Sequence, residues 1–132
     1  MIDFQVRTTA RAQLVDVTDR VRDAVRAAGL ARGAALVYCP HTTAGVTIQE
    51  NADPDVQRDL LLALERTVPR DAGWRHAEGN ADSHVKASLV GSSQLVPVED
   101  GELVLGTWQA VYLCEFDGPR TRSLQVQLLA AS

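Results

Sequence analysis

Asp100-Gly101 constrains this chain more than any other pair of residues. It stands between two apolar runs, Leu95–Val98 and Leu103–Leu105, inside the polar stretch Glu99–Glu102. Asp-Gly readily adopts the left-handed backbone angles of a tight hairpin turn, so the two runs are predicted to be neighbouring antiparallel strands. A chain with such a hairpin is not a strict strand–helix–strand alternation with parallel pairing. The other apolar patterns agree. Ile2, Phe4 and Val6 alternate as in a half-buried strand, and a second short strand fits Ala12 to Val15. Further strands fit Ala34 to Cys39, Val46 to Ile48, Thr107 to Phe116 and Ser123 to Leu129.

Three helices fit between them. The first runs from a capping Thr18 to Ala28, with Val21, Ala24, Val25 and Ala28 on one face and Gly29 placed for a left-handed stop. The second begins at Asp53-Pro54, a capping carboxylate followed by proline at the first helical position, and runs to about Thr67. It is expected to bury Val56, Leu60, Leu61 and Leu64. The third, Ser83 to Val90, is capped by Asp82 and ended by Gly91. Six or seven strands with three helices predict an α+β domain with a largely antiparallel sheet.

The 132 residues suit one domain, spanning 1–132, with no linker, repeat or low-complexity segment. A chain of this size buries about two-thirds of its unfolded surface, so a metal or disulfide is not needed to hold the core. The net charge of −4, from 13 basic and 17 acidic residues, speaks against a nucleic-acid surface. The early arginines, Arg7 to Arg32, read as solvated faces of an edge strand and a helix. Cys39 and Cys114 lie in the apolar runs LVYC and VYLCEF and are expected to be free and buried. Met1 leads directly into a strand pattern, and no run approaches the roughly 18 apolar residues of a membrane span. The expectation is a cytoplasmic protein without membrane contact.

The polar chemistry lies between His41 and Arg122. All three histidines, His41, His76 and His84, sit in turn-forming sequence rather than on core strands. Three imidazoles with an open fourth position would suit a catalytic zinc, although the His76–His84 spacing matches no short metal motif. Gly91-Ser92-Ser93 and Gly118-Pro119-Arg120 offer hydroxyls, backbone N–H groups and a guanidinium to a phosphate or carboxylate, or are simply a helix end and a turn. Lys86 is the single lysine and shares the short helix with His84. Glu115 and Asp117 are two apart near a strand end and can share a face. They could hold a cation or move a proton, or they could pair with Arg120 or Arg122. Trp108 is expected in the core.

Several blocks together resemble the YjbQ family. These are the runs from His41 to Asp55 (HTTAGVTIQENADPD), His76 to Ser88 (HAEGNADSHVKAS), Gly91 to Gln94 (GSSQ), Val96 to Gly101 (VPVEDG), Leu105 to Gln109 (LGTWQ) and Cys114 to Arg120 (CEFDGPR). The likeness covers nearly the whole chain and weakens before about residue 35. Departures are mild: Ala81 and Ser83 exchange small and hydroxyl residues, and Leu95 replaces a threonine.

The resemblance implies a β-sandwich-like α+β fold, a homotrimer, and a site built by the histidine-bearing blocks. It also implies a secondary thiamine-phosphate synthase activity, in which a pyrimidine-methyl diphosphate is joined to a thiazole phosphate and pyrophosphate leaves. Such a reaction needs its leaving group neutralised, by a divalent cation such as Zn²⁺ or Mg²⁺ or by cationic side chains. On this reading His41, His84, Lys86 and Glu115 are the catalytic candidates. Thr42, Thr43, Asn51, Asn80, Ser92, Ser93 and Arg120 are expected to bind the anionic substrate, and His41, His76 and His84 a metal. Glu78, Asp82 and Asp117 are further metal candidates. A non-catalytic trimeric module that holds a metal or an anion is the alternative. Neither His41 nor His84 has a visible folding role, so replacing either with alanine is expected to change stability by less than about 1 kcal/mol.

Overall fold

A computed structural model describes residues 1–132. Eight strands and three helices follow one another as β1 (Ile2–Arg7), β2 (Gln13–Asp16), α1 (Thr18–Ala28), β3 (Gly33–Tyr38), β4 (Ala44–Glu50), α2 (Pro54–Thr67), α3 (Ala81–Val90), β5 (Ser93–Glu99), β6 (Glu102–Leu103), β7 (Gln109–Glu115) and β8 (Thr121–Ala130). They form a five-stranded sheet in the order β1-β8-β3-β5-β6 and a three-stranded sheet in the order β2-β7-β4. Every strand pair is antiparallel. The α+β, sandwich-like class expected from the sequence is the class observed.

Val98 pairs with Leu103 and Glu99 with Glu102, which leaves Asp100 and Gly101 as the whole turn. Both have positive φ, 52° and 77°, as a right-twisting hairpin requires.

The main core fills the space between the sheets. Phe4, Val6, Val37, Val96, Leu124 and Val126 meet Val46, Val111 and Leu113, and α1 inserts Val21, Ala24 and Val25. The other face of the small sheet is covered by helices. Cys114, Phe116 and Ala87 form a second cluster there, with Leu14, Leu61, Leu64 and Val90 packed against it. Strand β7 is thus covered on both faces, which explains its unbroken apolar run.

Several local expectations are corrected. Thr18 lies inside α1 rather than before it, and Asp16 takes the capping role by accepting from the Thr18 N–H at 2.9 Å. Asp82 is likewise inside α3, which begins after Asn80 without a side-chain cap. Helix α2 does start at Asp53-Pro54, with the Asp53 carboxylate accepting from the Asp55 N–H at 2.9 Å. Its apolar stripe is only half-buried. Trp108 is 61% exposed, because β7 begins one residue later. Cys39 and Cys114 are free and buried, and burial pushes the Cys114 thiol up to about 12. No helix is long and apolar enough to cross a membrane.

Candidate functional site

The chain leaves β3 at Tyr38 and passes through Pro40, His41 and Thr42 before entering β4, so these residues form a rim at one end of the sandwich. Helix α3 packs across β4 beside that rim. Its two faces do different things, because residues four apart share a face. His84 and Ser88 look into the rim. Asp82 and Lys86 turn into the protein.

The result is a two-lobed groove. One lobe, of about 410 Å³, is lined by His41, Thr42, Ala44, His84, Ala87, Ser88, Gly91 and Ser92. The other, of about 400 Å³, shares His41, Thr42 and His84 and adds Pro40, Thr43, Glu78, Asn80, Asp117, Arg120 and Arg122. Apart from Pro40, the second lobe is walled entirely by polar and charged residues.

A buried ion pair closes the core beneath the second lobe. Glu115 on β7 and Arg122 on β8 both face the space between the sheets, on the parity of Leu113 and Leu124. Arg122 Nε donates to both Glu115 oxygens at 3.0 Å, and its terminal nitrogen bonds Glu115 Oε2 as well. The same nitrogen donates to Thr43 Oγ1 at 2.8 Å, and Thr8 Oγ1 donates to Glu115 Oε1 at 2.8 Å. Every charge is therefore met, as burial demands. Beyond the strand end, Arg120 bonds the Asp117 carboxylate at 3.1 Å, and Asn80 Nδ2 donates to it at 2.8 Å. Asn80 Oδ1 is buried with no protein partner.

The predicted residues divide sharply. His41, Thr42, Thr43, Asn80, His84, Ser92 and Arg120 all reach the groove. Lys86 does not. It is buried, with Nζ 2.7 Å from Glu65 and 2.8 Å from Asp82, and Asp82 also takes Arg11 at 3.1 Å. Glu115 is fully buried under Arg122, so it and Asp117 do not share a face, because β7 ends between them. Ser93 points outward on β5, paired with Tyr38. Asn51 follows β4 at its far end, about 20 Å along the strand from the groove. Ser88 was missed. Its position one turn after His84 is the signal that would have found it.

His76 is exposed, and its ring meets the His84 ring edge-on at a centroid distance of 5.1 Å. It lines a separate pocket of about 270 Å³ with Arg70 and Trp74. The three imidazoles do not gather into a ligand set, and no cluster of three or more His, Cys, Asp or Glu side chains is placed to hold a metal ion. His41 is further committed, since its Nε2 accepts from the Ser123 backbone N–H at 2.9 Å. Burial, with the nearby Arg122 charge, holds this imidazole below the ordinary histidine range. The arrangement suits recognition of a small anion by hydroxyls, imidazoles and Arg120.

Known proteins resemble the chain along nearly its whole length. The model of the UPF0047 protein YjbQ-like family matches residues 2–131. The protein YugU of Bacillus subtilis is 51% identical over 127 residues, covering 96% of each chain. MJ1081 of Methanocaldococcus jannaschii is 43% identical over 98% of this chain and 94% of its own length. A crystal structure from Clostridium acetobutylicum, described as an uncharacterized conserved protein of the YjbQ/UPF0047 family, superposes with a TM-score of 0.96 at 49% identity, covering 98% of this chain and all 100% of that one. The Thermus thermophilus conserved hypothetical protein TT1486 does so with a TM-score of 0.91 at 42% identity over 98% of this chain and 100% of its own. The chain belongs to the YjbQ-like UPF0047 family.

Proposed function

We propose that the groove binds a small phosphorylated metabolite and that the protein is a transferase acting on it, with thiamine-phosphate synthesis as the named reaction. The observation that carries this reading is convergence. Residues from four separate sequence blocks, around His41, His84, Ser92 and Arg120, share one polar groove. In such a transfer the thiazole nitrogen attacks the pyrimidine methylene carbon, the carbon–oxygen bond breaks, and pyrophosphate leaves with both bonding electrons. Chemistry of this kind asks the protein for hydrogen bonds to the departing oxygens and for alignment, not for a covalent nucleophile. Thr42, Ser88, Ser92 and the His84 imidazole supply those contacts. Arg120 stands at the far lobe.

The test is calorimetric titration with pyrophosphate, with and without Mg²⁺, followed by incubation with the two thiamine precursors and detection of thiamine phosphate. His84→Ala and Ser88→Ala should each weaken pyrophosphate about tenfold. No binding at millimolar pyrophosphate overturns the reading.

One observation favours a second reading, a non-catalytic binding module. Lys86 and Glu115, two of the four catalytic candidates, are both sealed in internal ion pairs. Under this reading pyrophosphate binds and no thiamine phosphate forms. Either reading is compatible with the homotrimer we propose, for which the outer face of the five-stranded sheet is suited. Leu36 pairs with Leu95, and Ala34 with Pro97 and Leu129, on that solvent side. Leu95 is 58% and Leu129 47% exposed there.

A further inference from the structure

Strand β3 ends at Tyr38, opposite Gln125 of β8. Two residues further back along β8, Ser123 has passed the end of β3, and its backbone N–H on that side has no strand partner. The chain turns at Pro40 and supplies one. His41 Nε2 accepts that N–H at 2.9 Å, in the place where the next β3 carbonyl would have stood.

This bond decides the chemistry of the ring. An amide N–H only donates, so Nε2 must present its lone pair. Neutral imidazole carries one lone pair and one N–H, and the proton therefore sits on Nδ1. A protonated ring would turn an N–H toward the Ser123 N–H and add a charge beside Arg122. Burial and Arg122 both favour the neutral ring. No protein acceptor meets Nδ1, yet Nδ1 is not sealed: the one buried side-chain polar atom lacking a partner is Asn80 Oδ1. His41 lines both lobes of the groove.

We infer that His41 is a fixed hydrogen-bond donor, offering Nδ1–H to an oxyanion in the groove, and that it is not a metal ligand. Holding a metal through Nδ1 would require the imidazolate, and holding one through Nε2 would break the bond to β8. The backbone thus chooses the tautomer, and the tautomer chooses the ligand class: an acceptor oxygen, as on a phosphate or diphosphate. The ligand half of this inference rests on the proposed function. The tautomer half does not.

The two halves are tested separately. Long-range ¹H–¹⁵N spectra of labelled parent protein at neutral pH should give His41 a pyrrole-type Nδ1 and a pyridine-type Nε2. The reverse assignment overturns the inference. Calorimetry with pyrophosphate then compares three variants. His41→Ala should lose about tenfold, His41→Gln should lose as much, and His41→Asn should recover affinity to within about threefold of the parent. The asparagine amide nitrogen occupies the position of Nδ1, whereas the glutamine nitrogen occupies that of Nε2. Equal loss in the asparagine and alanine variants overturns the donor role. Titration with Zn²⁺ should show no stoichiometric site that depends on His41, and finding one overturns the exclusion of metal. If pyrophosphate does not bind the parent while the Nδ1–H form is seen, the oxyanion assignment falls with the proposed function, and the tautomer assignment stands.

Discussion

Lys86 shows how a single residue changes meaning once its neighbours are known. Its sequence setting beside His84 points to an anion site, but its ammonium is buried between Asp82 and Glu65. Removing one partner of a buried pair leaves the other uncompensated. Lys86→Met should therefore cost about 2–3 kcal/mol of stability, read by urea denaturation, because Arg11 still partners Asp82. Its pyrophosphate affinity should be unchanged. Asp82 gives the matching pH effect. Burial raises its pKa, but the hydrogen bonds and charges of Arg11 and Lys86 outweigh that and bring it down to about 2. The group is more acidic folded than unfolded, where aspartate titrates near about 3.9. Its contribution, about 2–3 kcal/mol, is complete above pH 4 and is lost as pH falls toward 2. Asp82→Asn should flatten the pH dependence of the urea midpoint across that window. Neither network is legible in the sequence, because Arg11 and Asp82 are 71 residues apart and His41 and Ser123 are 82 apart. Local patterns reveal neighbours two to four residues away. For the same reason His41 looked dispensable for folding, whereas His41→Ala strips an acceptor from β8 and should cost about 1–2 kcal/mol, measurable by the same denaturation.

At the scale of elements, the sequence was most informative wherever a backbone angle demanded a particular residue. Asp100-Gly101, Gly29 after α1 and the Asp53-Pro54 start of α2 are all placed as their chemistry predicts. It misled where a polar side chain had two possible uses. Asp82 has the composition of a cap, yet its carboxylate is taken by arginine and lysine. Half-burial of α2 was also hidden, since a helical stripe shows which side faces inward but not how far it is covered. Gly45 links an element contact to the groove. A Cβ there would stand 2.6 Å from the Gly91 carbonyl oxygen and 3.1 Å from Val90, so β4 and the end of α3 meet only because that position is bare. The same carbonyl accepts from the Val46 N–H at 3.0 Å. Gly45→Ala should push the Gly91–Ser92 wall outward, lower stability by about 1–3 kcal/mol and weaken pyrophosphate binding. Chemical denaturation and calorimetry check the two effects. An unchanged affinity would mean that this wall does not touch the ligand.

For the whole molecule, the proposed assembly has a physical handle in the exposed leucines of the five-stranded sheet, Leu95 and Leu129. A trimer that uses this face should be disrupted by Leu36→Glu, which sets a charge amid Ala34, Leu95 and Leu129. Light scattering should then shift from the trimer to the monomer mass, while circular dichroism stays that of the parent. Strand β8 carries a different consequence. It lies between β1 and β3 in space but follows every other element along the chain, and it carries Arg122, which lines the groove, and Ser123, which bonds His41. During synthesis β1 and β3 emerge early, without the strand that joins them, and each keeps an unpaired edge until β8 arrives. Neither the large sheet nor the His41 tautomer can be established until residues 121–130 have cleared the ribosome. A stalled or clipped product lacking them is not a nearly finished protein with a damaged site. Such a product should stay unfolded, so limited proteolysis of a chain ending before residue 121 is expected to degrade it at once under conditions that leave the parent intact.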